Sequence, residues 1–244
     1  MSKPLRVPLD GLAPGRRRLE GALLRYVTRV HRLQDGDRLS CFDPASAMEA
    51  EGTLVADAGE AVFCEVGELR PSAYRALPIK LIQGLAKGMK PDLTLRDATA
   101  LGVDSVLFVA TEHAVVQLLA ERASARQERW RRIAAEAARQ SGRGNLPSVE
   151  GPLSFEAGIS SARESRRIAL VPGAPPLFEQ LAGLTVAASI ALLVGPEGGL
   201  SEREIAQSRE AGFVAASLGG LVLRTELAAS AALGALVAWS AGSS

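Results

Sequence analysis

Cysteine and histidine are scarce in this chain of 244 residues, which holds two of each. The four lie far apart, so a four-ligand zinc site with motif spacing is excluded, and two thiols cannot build a disulfide framework. A long apolar run is also missing. The most apolar stretch, Leu227 to Trp239, spans 13 residues, whereas a membrane span needs about 20. The N-terminus carries prolines and an arginine run where a signal peptide needs apolar residues. These absences predict a soluble, cytoplasmic protein that binds no metal. Charge of one sign is absent too: 28 Lys+Arg stand against 27 Asp+Glu, a net charge of +1. Taken as a total, that balance argues against a nucleic-acid partner. What is plentiful is apolar: 47% of residues are hydrophobic, enough for a buried core in one large domain or two smaller ones.

The near-neutral total hides local imbalance. Residues 1–38 hold nine bases and four acids, a sum of +5. Residues 39–70 hold one base and seven acids, −6, and residues 121–143 hold seven arginines and three glutamates, +4. The two basic segments are where a polyanion could dock, although solvated surface arginine fits the same pattern.

The first seventy residues read as a small β domain. Asp35-Gly36-Asp37 is a turn signal between Val27–Leu33 and Arg38–Phe42, and residues 57–60 connect the strand-like runs 52–56 and 61–66. Cys41 and Cys64 fall in these strands and read as buried small hydrophobes. The proline-bracketed stretch 70–78 predicts a linker. From Ile79 onward strand and helix alternate: a strand at 79–82, a helix at 91–101 closed by Gly102, a strand at 106–111, and a long helix at 119–141. Leu146-Pro147 then starts a loop. A strand at 168–171, a short helix at 175–181, a strand at 189–194, a helix opened by the capping box Ser201-Glu204, a strand at 213–218 and a small-residue helix from Thr225 follow. This order predicts an α/β fold with a mostly parallel sheet covered on both faces, and ligands at the carboxyl ends of its strands.

Three Gly- or Pro-rich loops fall at those ends: Val171-Pro172-Gly173, Gly195-Pro196-Glu197-Gly198-Gly199, and the stretch from Leu218 to Arg224. No P-loop lysine follows Gly199, and Glu197 would repel phosphate, so backbone loops of this kind suit a flat, mostly neutral ligand such as adenosine. Simple strand-to-helix turns fit the same pattern.

The loop Gly195 to Ser201 with Glu204, then Gly212-Phe213, Leu218-Gly219 and Leu223-Arg224-Thr225-Glu226, resembles the signature of the RsmE-type 16S ribosomal RNA uridine-N3 methyltransferases, a branch of the SPOUT superfamily. Gln83 to Gly88, Ala98 to Val103, Arg129 to Ile133 with Glu136 to Arg143, and Val30 to Leu33 with Gly36-Asp37 extend the resemblance over nearly the whole chain. It implies a PUA-like β-barrel RNA-binding domain at 1–72 and a SPOUT methyltransferase domain with a C-terminal trefoil knot at 73–244. It further implies a homodimer that binds S-adenosylmethionine and methylates N3 of a uridine in small-subunit ribosomal RNA. The cofactor is then expected on Leu170, Val171 and Pro172, on Leu193, Val194, Gly195, Pro196, Glu197, Gly198 and Gly199, and on Leu218, Gly219, Gly220, Leu223 and Arg224. Arg224, oriented by Glu226, is the candidate catalytic group. Arg6, Arg29, Arg32, Arg129, Arg132 and Arg143 are candidates for RNA phosphate contacts.

The chain departs from the family pattern at Tyr26, where histidine is usual, at Ala100 for glutamate, at Gly220 for proline, at Leu221 for arginine, and at Leu227 for threonine. These keep two alternatives open: a SPOUT enzyme acting on another RNA, and a knotted RNA-binding protein that has lost activity.

Overall fold

A computed structural model describes residues 4–57, 61–72, 77–113, 123–185 and 188–242. Parts of the 57–60 connection and the 70–78 linker, and residues 119–122 of the expected long helix, lie outside the described residues, as does the 72/73 boundary. The chain divides into two compact units: residues 1–75 with 138–146, and residues 76–137 with 147–244.

The first unit contains β1 (Leu5–Pro8), β2 (Gly15–Arg18), α1 (Gly21–Arg25), β3 (Arg38–Phe42), β4 (Met48–Ala56), β5 (Val62–Val66) and β6 (Arg70–Pro71). Val27–Leu33 is not a strand flanking the 35–37 turn: Tyr26–Val30 forms a π-helical turn continuing α1. The sheet order is β1-β3-β4-β5-β2, with β6 on β4, and β1 and β2 are its unpaired ends. Among the described residues the sheet is therefore open, and the expected closed barrel is not seen. Its core is Val7, Leu39, Leu54, Val66 and both cysteines. The thiols of Cys41 and Cys64 meet at 3.5 Å over the bare Cα of Gly52, where a Cβ would lie 2.5 Å from one sulfur and 2.9 Å from the other. Glycine on the intervening strand makes room for this pair.

The second unit contains β7 (Leu77–Gly84), α2 (Lys90–Ala100), β8 (Val103–Ala110), α3 (Ala123–Ser141), β9 (Ser148–Ser154) and α4 (Phe155–Ser160). It continues with β10 (Arg166–Leu170), a 3-10 turn at Leu177–Leu181, β11 (Ile190–Val194), α5 (Glu202–Glu210), β12 (Val214–Ala216) and α6 (Thr225–Gly242). From Ala138 the last turn of α3 counts with the first unit. The strands order β12-β10-β11-β7-β8-β9, and every pair is parallel.

Side-chain alternation sorts the sheet's two faces. In β11, Ile190, Leu192 and Val194 join one core with Trp130 and Ala134 of α3 and Ala229, Leu233 and Leu236 of α6. Ala191 and Leu193 join the other, with Phe155 and Ile159 of α4 and Phe213. A strand apolar at every position is what burial on both faces requires. Two elements were hidden in the sequence. Ser148–Ser154 carries Gly151 and Pro152, which read as a loop, yet it pairs as the sheet's edge with an irregular register at those two residues, where proline costs no ladder bond. Phe155–Ser160 is a short helix capped by the Ser154 hydroxyl.

Candidate active site

Strands β10, β11 and β12 end at Leu170, Val194 and Ala216, side by side in the sheet. The three loops that follow therefore meet. They border a cleft, open at its mouth, floored by Leu170, Val194 and Ala216 and walled by Val171, Pro172, Gly195, Pro196, Glu197, Gly199, Leu218, Gly219 and Leu223.

Close packing sets the shape of the central loop. A Cβ on Gly84 would stand 2.6 Å from Pro196 Cδ, and one on Gly195 would stand 2.9 Å from the Gly199 carbonyl carbon. Gly199 itself takes φ +70°, a left-handed conformation that glycine adopts without strain. Side chains then pin the loop. Glu197 receives the Lys90 ammonium at 2.8 Å and the Lys87 backbone N–H at 3.2 Å. Burial alone would push the Glu197 carboxyl up, but the Lys90 hydrogen bond and the surrounding N–H groups outweigh it and hold the group below its ordinary value. The objection that Glu197 would repel an anionic ligand is thereby softened, since its charge is already paired. The imidazole of His113 lies 3.2 Å from the Gly198 carbonyl.

Directly after the loop, α5 opens with the expected capping box. The Ser201 hydroxyl accepts from Glu204 N–H, and the Glu204 carboxylate accepts from Ser201 N–H at 2.9 Å. Its other oxygen accepts from the Glu112 N–H at 2.8 Å, so the cap also anchors the end of the β8 segment.

At the back of the cleft lies an enclosed polar relay. Gln83, only 1% exposed, donates to the Thr225 hydroxyl at 2.8 Å and to the Gly84 carbonyl at 3.0 Å. Thr225 in turn donates to the Gly195 carbonyl at 2.6 Å. The start of α6 is thus tied to the start of the cofactor-type loop.

Most of the residues expected on a cofactor do line this cleft, but four do not. Leu193 alternates onto the opposite face and packs with Ala191 and Phe213. Gly198 turns toward His113, and a Cβ on Gly220 would meet nothing within 4 Å. Arg224 is exposed, and its carbonyl accepts the Ala228 N–H to begin α6. Among the described residues Arg224 makes no ion pair with Glu226, while one oxygen of Glu226 is enclosed without a hydrogen-bond partner. Sequence reasoning missed Ala216, Ser217, Thr225 and Ala228, which also line the cleft, as do Leu221 and Val222 from the expected stretch Leu218 to Arg224. Leu221 and Val222 are 83% and 85% exposed. Their place between Gly220 and Arg224 was the available signal.

The proposed RNA contacts separate into two groups. Arg29, Arg32 and Arg132 are exposed, as is Arg129, which pairs with Asp92. Arg6 is mostly enclosed, held by Glu49 at 3.4 Å and lying over the Phe42 ring. Arg143 is only 1% exposed and donates to Asn145 at 3.3 Å. The Arg143 guanidinium, expected on RNA, is thus enclosed rather than open to a phosphate.

Comparison with known proteins agrees with this geometry. The RNA methyltransferase domain family matches residues 74–237. Ribosomal RNA small subunit methyltransferase E of Bacillus subtilis is 30% identical over 227 residues, covering 89% of this chain and 88% of the relative. The protein of the same name from Synechocystis is 32% identical, covering 88% and 70%. The chain belongs to the RNA methyltransferase family, in its RsmE-type branch. A solved ribosomal RNA small subunit methyltransferase E from Neisseria gonorrhoeae, bound to S-adenosyl methionine, superposes on this RsmE-type chain with a TM-score of 0.86 at 28% identity, over 97% of this chain and 98% of that one. No helix among the described residues is long and apolar enough to cross a membrane.

Proposed function

We propose that this RsmE-type protein methylates N3 of a uridine in 16S ribosomal RNA, using S-adenosylmethionine. The observation that carries the reading is the cleft formed by backbone at the ends of β10, β11 and β12, in a chain whose relatives are named as small-subunit rRNA methyltransferases. The cleft fits the cofactor's chemistry. Leu170, Val194 and Ala216 offer an apolar floor for an adenosine moiety, and Val171, Pro172, Gly195, Gly199, Leu218, Gly219 and Leu223 offer backbone hydrogen-bonding groups. When bound, S-adenosylmethionine supplies the methyl group and leaves as the neutral thioether.

The remaining work falls to the chain. N3 of uridine carries a proton, and its lone pair is a poor nucleophile until that proton passes to solvent or to an RNA group. The site must favour the resulting anion and aim it at the methyl group. Arg224 suits that role, because a guanidinium stabilises an anion without losing its own proton. It has no partner among the described residues, and its chain neighbours Leu223 and Thr225 line the cleft. Glu226 orients Arg224 or a substrate group, for which its enclosed, unpartnered oxygen is available. Arg29, Arg32, Arg129 and Arg132 serve as phosphate contacts. Residues 1–72 act as a PUA-like RNA-binding module and 73–244 as the SPOUT domain, with the trefoil knot where Thr225 meets Gly195. A homodimer, packed through α6, completes the assembly, which works in the cytoplasm where ribosomes are built.

Mass mapping of 16S rRNA from a strain lacking the gene tests the reading. The small-subunit uridine should lose its N3 methyl group, and the wild-type gene should restore it while Arg224→Ala does not. Persistence of the modified uridine in the deletion strain would overturn the substrate. Full restoration by a folded Arg224→Ala protein would overturn the role of Arg224.

A further inference from the structure

The relay at the back of the cleft connects two parts of the reaction that lie far apart in the chain. Gly195 begins the loop that walls the cleft, and Thr225 stands between Arg224 and Glu226. Gln83 ends neither of these segments. It comes from β7, the next strand over, and is buried where the two meet.

We propose that Gln83 and Thr225 form a positioning pair that sets the cofactor loop and Arg224 in register with each other. The inference rests on the methyltransferase reading above.

The hydrogen-bond inventory makes the relay directional. A hydroxyl has one hydrogen, and that of Thr225 goes to the Gly195 carbonyl at 2.6 Å. Thr225 oxygen is then free to accept, and Gln83 donates to it at 2.8 Å. The second hydrogen of the Gln83 amide has the Gly84 carbonyl at 3.0 Å, with the carbonyls of Gly195 and Val194 at 3.4 and 3.5 Å. Four oxygens thus surround one NH2 group: those of Gly195 in the loop, Thr225 at the start of α6, Gly84, which packs on Pro196, and Val194 at the end of β11. Neither partner of the pair is exposed enough for water to replace it, since Thr225 is 4% exposed.

Fixing the Gly195 carbonyl fixes the peptide that leads into Pro196, and Pro196 is already confined by Gly84. Fixing the Thr225 side chain fixes the first turn of α6, where the Arg224 carbonyl receives the Ala228 N–H at 2.8 Å. Loss of the relay frees both segments at once. The consequence is a ligand held less tightly and a guanidinium less well aimed, rather than a missing contact to substrate.

The test uses the full chain with Thr225→Val, Thr225→Ser, Gln83→Met and the Thr225→Val/Gln83→Met double variant. S-adenosylmethionine affinity is measured by calorimetry, and the single-turnover methyl-transfer rate at saturating cofactor on small-subunit rRNA is measured for the folded fraction. An unsatisfied buried group costs enough to shift an equilibrium by about tenfold. Thr225→Val and Gln83→Met should each weaken binding by about that factor and also slow the saturated rate. Thr225→Ser, which keeps the hydroxyl, should stay near wild type, and the double variant should fall short of the product of the single losses, because both break one chain of bonds. Wild-type affinity and rate in both single variants would overturn the pair, as would losses that multiply independently. A role in packing alone would lower the melting temperature and leave affinity and saturated rate unchanged, which also overturns it. Absence of cofactor binding by the wild-type protein would instead overturn the methyltransferase reading.

Discussion

Gly84→Ala is the sharpest probe of how the cleft is built, because Gly84 is not among the residues lining it. The added methyl group would sit 2.6 Å from Pro196 Cδ, 2.8 Å from Pro196 N and 3.1 Å from the Gly195 carbonyl carbon. Ordinary carbon contact begins at about 3.4 Å, so the loop would have to retreat by about 0.8 Å. None of the three atoms is the tip of a flexible side chain. Two belong to the backbone and one to a proline ring, so retreat means moving the peptide at 195–196. That peptide is held from one side by Thr225 and from the other by the Lys90 contact to Glu197. Overpacking of this kind typically costs about 1–3 kcal/mol. Part should appear as lost stability and part as lost cofactor affinity, since the displaced atoms wall the cleft.

The assay pairs urea unfolding with calorimetric titration of S-adenosylmethionine, and Gly220→Ala serves as the control. A Cβ at Gly220 meets nothing within 4 Å and requires no left-handed backbone, so it should leave both quantities within about 0.5 kcal/mol of wild type. Gly84→Ala should weaken cofactor binding by about tenfold or more. If it binds the cofactor as wild type does and unfolds at the same urea concentration, the loop is not confined as argued and the account of the cleft is wrong.

Other consequences can be measured directly. Trp130 is 2% exposed and stacks on Phe108 with ring centroids 4.2 Å apart, so Trp130→Ala should lower unfolding free energy by about 3–5 kcal/mol while a surface change such as Arg131→Ala does not. The Glu197 carboxyl is held below its ordinary value in the folded protein, with burial opposing and the Lys90 bond and N–H groups prevailing. Its contribution to stability is therefore present above the unfolded-state value near 4.5 and lost as pH falls through the lower folded-state value. Lys90→Met should flatten that acid limb of a stability–pH curve, and an unchanged limb would show the pair to be idle. Both cysteines are fully buried and the Cys41 thiol is pushed up, first by its hydrogen bond with Cys64 and then by burial. Native protein should resist a thiol reagent that reacts with both sulfurs after unfolding.

Much of the second unit was legible because its signals are local. Ile190 to Val194 is apolar throughout, short, and stopped by Gly195-Pro196, which together mark a strand covered on both faces. Ser201 and Glu204 announce a helix start by their spacing, and the capping box forms as expected. Elements governed by position in the sheet were not legible. Ser148–Ser154 looks like a loop because Gly151 and Pro152 interrupt it, and only its place at the edge makes it a strand. Val27–Leu33 shows the converse error: its apolar residues serve a helical turn, whose Val27 reaches the core, instead of a flanking strand.

The same distinction runs through the site. The loops could be named from their glycines, since close backbone approach demands glycine whatever lies opposite. Which residues within them face the ligand depended on strand parity and on what lay across the cleft. Leu193 and Val194 are adjacent, yet only Val194 faces the cleft, because alternation sends Leu193 to the core beneath. Arg143 follows the arginine-rich helix α3 and reads like the arginines on it, but its side chain is enclosed where theirs are mostly exposed. Gln83 is the extreme case. In the sequence it is one polar residue after an apolar run, with nothing to tie it to residues more than a hundred positions away. Its burial against Gly195 and Thr225 is a product of strand order, since β7 lies beside β11 and the chain returns there to begin α6. A neutral amide suits that position: it can donate to the Thr225 hydroxyl and to carbonyls of Gly84, Val194 and Gly195, where a charged donor would carry a desolvation cost and an apolar side chain would supply no donor.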